Sequence, residues 1–415
     1  MRTTILHTAL SGLALALAIQ SLNAMEAIRP VPGLPISFES YLSRAGQHNL
    51  GYLADSLNVS MAEAEITAAS VLPDPSLDFE VGHDTYTFGI SYSLELGKRH
   101  ARVEFAESQA ELERITLGQA FQELRSEAAE LFIEAILQRE LLKAKQESCD
   151  YMFQLCRSDS LRYLSGEITE IEYRQSRLEA VTLLNEVCDQ DAAYHSALVD
   201  LNMFIGESAD TLNIPEGNWD GLKRDFSLAG LLETGMRENP QLMAAAKNVE
   251  VCSKAYRLER VGRRPDIGLS LSYERDWQGF RPRIQYAKVG VSIPLPFSNT
   301  NKGALRSAEY RIEQASVMER EAGLRVQSGI TQAWYSFEAQ RKKVARYQSG
   351  VLDDARKVLD GTVYMYQRGE TGILDVLIAQ RSYNQTHQDY LETMKGYVSA
   401  LVSLEKACGI WDIRF

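Results

Sequence analysis

Ser196-Ala-Leu-Val-Asp-Leu201 returns as Ser399-Ala-Leu-Val-Ser-Leu404, an offset of 203 residues (399 − 196). Gly166-Glu167 matches Gly369-Glu370 at the same offset, and so does Gly206 with Gly409. Upstream, Phe88-Gly-Ile-Ser-Tyr-Ser-Leu-Glu-Leu96 resembles Val289-Gly-Val-Ser-Ile-Pro-Leu-Pro-Phe297, and Pro73-Asp74 echoes Pro265-Asp266. Matched blocks in one order and at nearly one spacing mean an internal duplication, and a duplicated unit sets the fold. With a period of about 200 residues, each copy is a small domain and not a solenoid repeat.

Proline divides each copy. The tracts between Ser76 and Ile214 and between Phe297 and Phe415 contain none, and they are rich in good helix formers. Ala101 to Leu164 reads as one long helix and Glu170 to Phe204 as its antiparallel return. Lys302 to Gln367 and Gly372 to Ala407 repeat the arrangement. A rod of roughly 95 Å, at 1.5 Å per residue, has no place in a globular domain. Shorter helices, Phe38 to Gln47 and Met61 to Ser70, then Leu228 to Glu238 and Gln241 to Leu258, precede the strands of each copy.

Before each rod come two segments of period-two alternation, the mark of strands with one apolar face. They are 77–81 and 86–96 in the first copy, and 267–273 and 286–295 in the second. In the second segment Tyr86, Phe88, Ile90, Tyr92, Leu94 and Leu96 alternate with Thr87, Gly89, Ser91, Ser93 and Glu95. Its length suffices for a tilted transmembrane strand, which takes about 9–11 residues. Tyr86, Tyr92, Tyr273, Trp277, Tyr286 and Phe297 stand near strand ends, where barrels carry interfacial aromatics. A single strand of this kind also suits a half-buried soluble hairpin. Four, paired alike in both copies, favour a membrane barrel.

Arg2 and the apolar run Ala9–Ile19 form a signal-peptide core, too short to span a bilayer. Cleavage fits after Ala24 or after Ala27, and no cysteine follows closely enough for lipid attachment. The expected organisation is a signal peptide over 1–24, a first repeat over 25–206, a linker over 207–227 and a second repeat over 228–415. The net charge of −12 argues against nucleic acid. Five cysteines, Cys149, Cys156, Cys188, Cys252 and Cys408, show no CxxC spacing and read as buried free thiols. Cys149 and Cys188 alone could face each other across a hairpin. No hydrolase, metalloprotease or phosphate-loop motif is present. The six histidines are scattered, with His83-Asp84 in an exposed turn, so no enzyme, cofactor or metal site is expected.

The pattern resembles the bacterial outer-membrane efflux proteins, the TolC-like family, and within it the short CzcC-like members of heavy-metal export systems. The likeness runs from about Ile36 to Gly409. Its most specific part is Tyr366-Gln-Arg-Gly-Glu-Thr-Gly-Ile-Leu-Asp-Val-Leu-Ile-Ala-Gln380, with a weaker first-copy version at Tyr163-Leu-Ser-Gly-Glu-Ile-Thr-Glu-Ile-Glu172. Glu238-Asn-Pro-Gln-Leu242 and Leu72-Pro-Asp-Pro75 are further landmarks. The resemblance implies a mainly α protein with a membrane β-barrel: a homotrimer in which each protomer gives four strands to a twelve-stranded barrel and long hairpins to a periplasmic α-barrel. Physics agrees, because four strands cannot close alone and open edges are not tolerated in lipid.

The resemblance also implies partners: a periplasmic adaptor, an inner-membrane RND pump and outer-membrane lipid. It makes the helical tips at Gly166, Glu167, Gly369 and Glu370 adaptor-docking surfaces. It carries Asp375 over as a pore-constriction acid, with Glu172 as its first-copy counterpart (375 − 172 = 203). Where some members have a second acid one turn on, this chain has Ile378, and a basic residue of some members is Thr371 here. The function so implied is a passive duct, for metal cations or alternatively for drugs or a secreted polypeptide. From another class, a periplasmic coiled-coil adaptor or scaffold is the rival, although an adaptor would show one hairpin and this chain shows two.

Overall fold

The computed structural model describes residues 33–83, 85–208, 212–217, 219, 224–276, 285–295 and 301–413. The expected signal peptide, with its apolar run and both cleavage positions, lies outside them, as do Asp84, Trp277 and Phe297. The element order is β1 (Gly33–Ile36), α1 (Phe38–His48), α2 (Leu50–Ser70), β2 (Ser76–Val81), β3 (Thr85–Leu94), α3 (Lys98–Leu164), α4 (Glu170–Phe204) and β4 (Leu212–Pro215). Then come α5 (Leu228–Glu238), α6 (Pro240–Gly262), β5 (Ile267–Asp276), β6 (Gln285–Ser292), α7 (Lys302–Arg346), a π-helical turn Tyr347–Val351, α8 (Leu352–Gln367) and α9 (Ile373–Cys408). The chain is mainly helical. Among the described residues no helix is long and apolar enough to cross a membrane.

The rods form as the sequence composition dictates. α3 runs unbroken for 67 residues, about 100 Å at 1.5 Å per residue. Its counterpart is not one helix. The rod expected over Lys302–Gln367 is interrupted at Tyr347–Val351, where Gly350 takes φ +114°. The two helices meet there at a kink, and glycine is the residue that tolerates such a positive φ. α2 also differs, starting at Leu50 and not at Met61. Asn49 caps it, accepting from the Tyr52 N–H at 3.0 Å.

Asn49 has a twin. Asn239 caps α6 through its side-chain oxygen, with Pro240 as the first helical residue. Each asparagine also donates from Nδ2 to a carbonyl at the end of a return helix. Asn49 reaches Phe204 and Asn239 reaches Ala407, both at 2.8 Å. The duplication is thus visible as repeated hydrogen bonding.

β2, β3, β5 and β6 make one antiparallel sheet in that order. Its register aligns Leu77, Ile90, Leu271 and Val289 in one row, and Phe79, Phe88, Tyr273 and Ala287 in the next. These rows share one face of the pleat and stay exposed, Phe79 by 67% and Val289 by 79%. The other face carries Ser76, Ser91, Ser270 and Gly290, then Glu80, Thr87, Glu274 and Tyr286. β2 and β6 are the open edges. β5 extends three residues past the expected Tyr273. β3 and β6 end at Leu94 and Ser292, leaving Leu96, Ile293 and Leu295 outside the ladder.

Below the sheet, the short helices and a parallel pair β1–β4, which the sequence reading did not anticipate, wrap the hairpins. The core sits there, around Phe132, Ile133, Ile136, Leu198, Leu201, Ile330, Phe337, Val398 and Leu401. The C-terminal segment closes over it. Trp411 stacks on Phe38 with centroids 6.0 Å apart, and the Arg125 guanidinium lies 4.3 Å over Trp411. The Asp412 N–H donates to Glu405 Oε2 at 3.0 Å. Burial holds the Glu405 carboxyl up at about 8, with the Asp412 carboxyl adding to the rise and the Asp412 N–H and Arg125 opposing it.

All five cysteines are free thiols, as read, but only Cys149, Cys156 and Cys408 are buried. Cys188 is exposed and Cys252 half-buried.

Candidate functional site at the helical tips

Both rods end in the same turn. In the first, the Gly166 N–H donates to Tyr163 and the Glu167 N–H to Arg162, at 3.0 and 2.9 Å. In the second, Gly369 donates to Tyr366 and Glu370 to Met365, both at 3.0 Å. Gly166 and Gly369 take φ +81° and +74°. This is the Schellman arrangement, which satisfies the last carbonyls of a helix and needs a left-handed residue. A Cβ at either glycine would meet nothing within 4 Å, so conformation and not space is what demands glycine.

The return helices start differently. Thr169 and Glu172 form a complete capping box. The Thr169 N–H donates to Glu172 Oε2 at 2.8 Å, and the Glu172 N–H donates to Thr169 Oγ1 at 3.2 Å. In the second tip the cap is Gly372, which has no side chain to offer, and the Asp375 carboxylate instead accepts from the Thr371 hydroxyl. Asp375 is exposed and Glu172 half-buried. Each acid therefore bonds within its own tip, and within one chain the structure does not join the two.

What brings the tips together is a contact that sequence reasoning missed. Asp159 of α3 is fully buried and accepts from the Tyr366 hydroxyl of α8 at 2.9 Å. The Arg162 guanidinium lies 4.9 Å over the Tyr366 ring. Burial pushes the Asp159 carboxyl up, against hydrogen bonds from Ser176 and Tyr366 that pull it down. Tyr366 opens the most specific sequence block, which was a signal of importance but not of partner. Asp159 had no signal, since buried acids look like solvated ones in a helical pattern. One turn further, Arg381 of α9 grips Glu179 of α4 through Nε and Nη2, at 3.1 and 2.7 Å.

Behind that pair lies a groove of about 390 Å³ between α3, α4 and α9, lined among others by Lys145, Glu179, Glu186, Arg381 and His387. Burial lowers the His387 pKa. Its charges are mixed. Among the described residues no three His, Cys, Asp or Glu side chains gather as a metal-ligand set.

The profile of the outer membrane efflux proteins matches residues 231–410. The cobalt-zinc-cadmium resistance protein CzcC of Cupriavidus metallidurans is 26% identical over 381 residues, covering 90% of each chain. The pyoverdine export outer membrane protein OpmQ of Pseudomonas aeruginosa is 23% identical over 338 residues, 79% of this chain and 70% of its own. Among solved structures, that of CusC aligns with a TM-score of 0.76 at 18% identity, over 92% of this chain and 94% of its own. The second half of the chain thus matches the outer membrane efflux protein family, a relative aligns along nine-tenths of the length, and the fold of such channels runs throughout: the chain is similar to the outer membrane efflux proteins.

Proposed function

We propose that this protein is the outer-membrane duct of a tripartite efflux system, a homotrimer that passively conducts substrate delivered by an inner-membrane RND pump and a periplasmic adaptor. The observation that carries the reading is the four-stranded sheet. One face is apolar and exposed through its central rows, the other is mainly polar, and both edges are open, at the head of two long helical hairpins, the first rod about 100 Å long. Lipid covers such a face, and only closure with further copies satisfies such edges. Three copies of four strands give twelve, an even number within the range of membrane barrels. The tips at Gly166, Glu167, Gly369 and Glu370 would dock the adaptor, and Asp375, with Glu172 near it, would line the entrance.

Metal cations are the proposed cargo, supported by the relative named for cobalt, zinc and cadmium resistance. The pyoverdine exporter among the relatives keeps an organic cargo as the second reading. The test is a deletion strain carrying the cognate pump and adaptor. Restored growth in cobalt, zinc or cadmium on expressing this chain, with trimers in the outer-membrane fraction, supports the proposal. Outer-membrane trimers that restore only tolerance to organic compounds would reverse the cargo. A periplasmic, non-trimeric product would end the duct reading.

A further inference from the structure

The duplication predicts how copies meet. Inside one chain the two repeats join along α3 and α6, which pack antiparallel. That inner seam is ionic: Lys247 bridges to Glu111, and Arg257 to Glu104 at 2.7 Å. It continues into the sheet, where β3 runs into α3, α6 runs into β5, and β3 pairs with β5. The same elements exist at the two free ends of the chain. β6 runs into α7, α2 runs into β2, and β6 and β2 are the unpaired edges. A cyclic ring uses two different surfaces that meet head to tail. The β6 edge of one copy therefore meets the β2 edge of the next, in the antiparallel sense already alternating through the sheet, and α7 comes to lie against α2.

The residues of this outer seam follow from the repeat. Asn49 and Asn239 hold equivalent positions, an offset of 190 between α2 and α6 (239 − 49). Tyr52 packs on Phe121 of α3 with centroids 5.8 Å apart. Its equivalent Leu242 lies 4.0 Å from a Cβ built on Gly323 of α7, an offset of 202 between α3 and α7 (323 − 121). Carried across, Lys247 becomes Leu57 and Glu111 becomes Glu313; Val251 becomes Met61 and Ser108 becomes Tyr310. Val251 is 8% exposed on the inner stripe, whereas Met61 is 57% exposed and Leu57 60%. On α7, Tyr310, Val317 and Leu324 recur every seventh residue and are all more than half exposed. Both stripes have helical spacing and stay largely exposed among the described residues, although Arg306 lies over the Tyr310 ring.

We propose that the protomers join along α2 of one copy and α7 of the next, antiparallel, and that this outer seam is apolar, through Leu53, Leu57 and Met61 against Tyr310, Val317 and Leu324, where the inner seam is ionic. The proposal rests on the trimeric reading above and adds to it which surfaces meet and by what chemistry. An apolar seam between chains drives assembly by burial alone and is indifferent to salt. An ionic seam inside one chain needs no such drive, because the chain already tethers its halves.

The test uses the full chain in outer-membrane preparations. Leu57→Cys with Glu313→Cys, treated with a short bis-maleimide, should give covalent dimers and trimers on denaturing gels. Each single variant should stay monomeric and so controls for the native thiols. Leu57→Lys places a lysine beside Glu313 and rebuilds the inner pair, so its trimers should dissociate more readily as salt rises, while wild-type trimers should not. Native trimers without any covalent ladder would overturn the seam and leave the duct reading standing. Covalent dimers from Leu57→Cys alone would overturn it in favour of a twofold contact. Absence of trimers in the wild type would remove both.

Discussion

Arginine on the two faces of the sheet is the sharpest trial of the membrane assignment. β3 has ten residues, about 33 Å at 3.3 Å each, and Ile90 is the sixth. Its row is Leu77, Ile90, Leu271 and Val289, so the position level with it on β6 is Val289; Val291 belongs to the next row with Leu269 and Tyr92. Arginine facing lipid at mid-depth costs about 2–4 kcal/mol per strand, hence about 6–12 kcal/mol in a trimer. Ile90→Arg and Val289→Arg should each deplete heat-resistant trimers and lower the urea midpoint in lipid vesicles, with Val291→Arg milder. Ser91 is the next residue on the same strand, but its hydroxyl donates to Asp78 at 2.8 Å on the polar face. Ser91→Arg keeps water and a carboxylate in reach and should shift the midpoint by a small fraction of that. Equal losses at Ile90 and Ser91 would refute the assignment, because no lipid-facing sheet treats the two parities alike.

Gly166→Val and Gly369→Val should strain the backbone by about 1–2 kcal/mol each without a clash, leaving trimers in the membrane while export fails. Survival of metal resistance would show that the tips dock nothing. Glu405 holds its proton in the fold up to about 8, against an ordinary carboxyl value of 4.5. Stability from this group is complete below pH 4.5 and is lost as pH rises towards 8. Thermal melts across that window should fall for the wild type and flatten for Glu405→Gln. In planar bilayers the trimer should prefer cations. Asp375→Asn should weaken that preference and any block by multivalent cations, since a ring of three carboxylates is the proposed cause. Unchanged selectivity and block would leave Asp375 as a helix-start residue alone.

The parts of the fold governed by local rules were legible in the sequence. α4 has the expected bounds, because the Thr169 capping box starts it and Gly206 in a left-handed turn stops it. The strands were visible because alternation between apolar and polar residues needs no knowledge of partners. What escaped reading depends on contacts far along the chain. β1 and β4 are four residues each, exist only by pairing across almost 180 positions, and carry no alternation. Asp159 and Tyr366 lie 207 residues apart. The break at Gly350 escaped because glycine is tolerated inside a helix and only its φ of +114° reveals the kink.

The break at Gly350 falls where the two copies have diverged. The first rod is continuous, and its return helix is locked by a capping box in which Glu172 Oε2 accepts from both the Thr169 N–H and the Thr169 hydroxyl. The second rod is broken at Gly350, and its return helix begins at a bare glycine with the Asp375 carboxylate held only by the Thr371 hydroxyl. A capping box contributes about 1 kcal/mol to a helix start, and a glycine kink interrupts the helical hydrogen bonding of a rod. The first hairpin is therefore built as the stiffer of the pair and the second as the more adaptable. They are pinned to each other by Tyr366 on Asp159 and Arg381 on Glu179, so any movement of the second tip must work against those two bonds. Asp375 sits on the adaptable side of those pins and Glu172 on the rigid side. Of two acids that the duplication makes equivalent, Asp375 is the less firmly held, and it is the one that the proposed opening of an entrance would move.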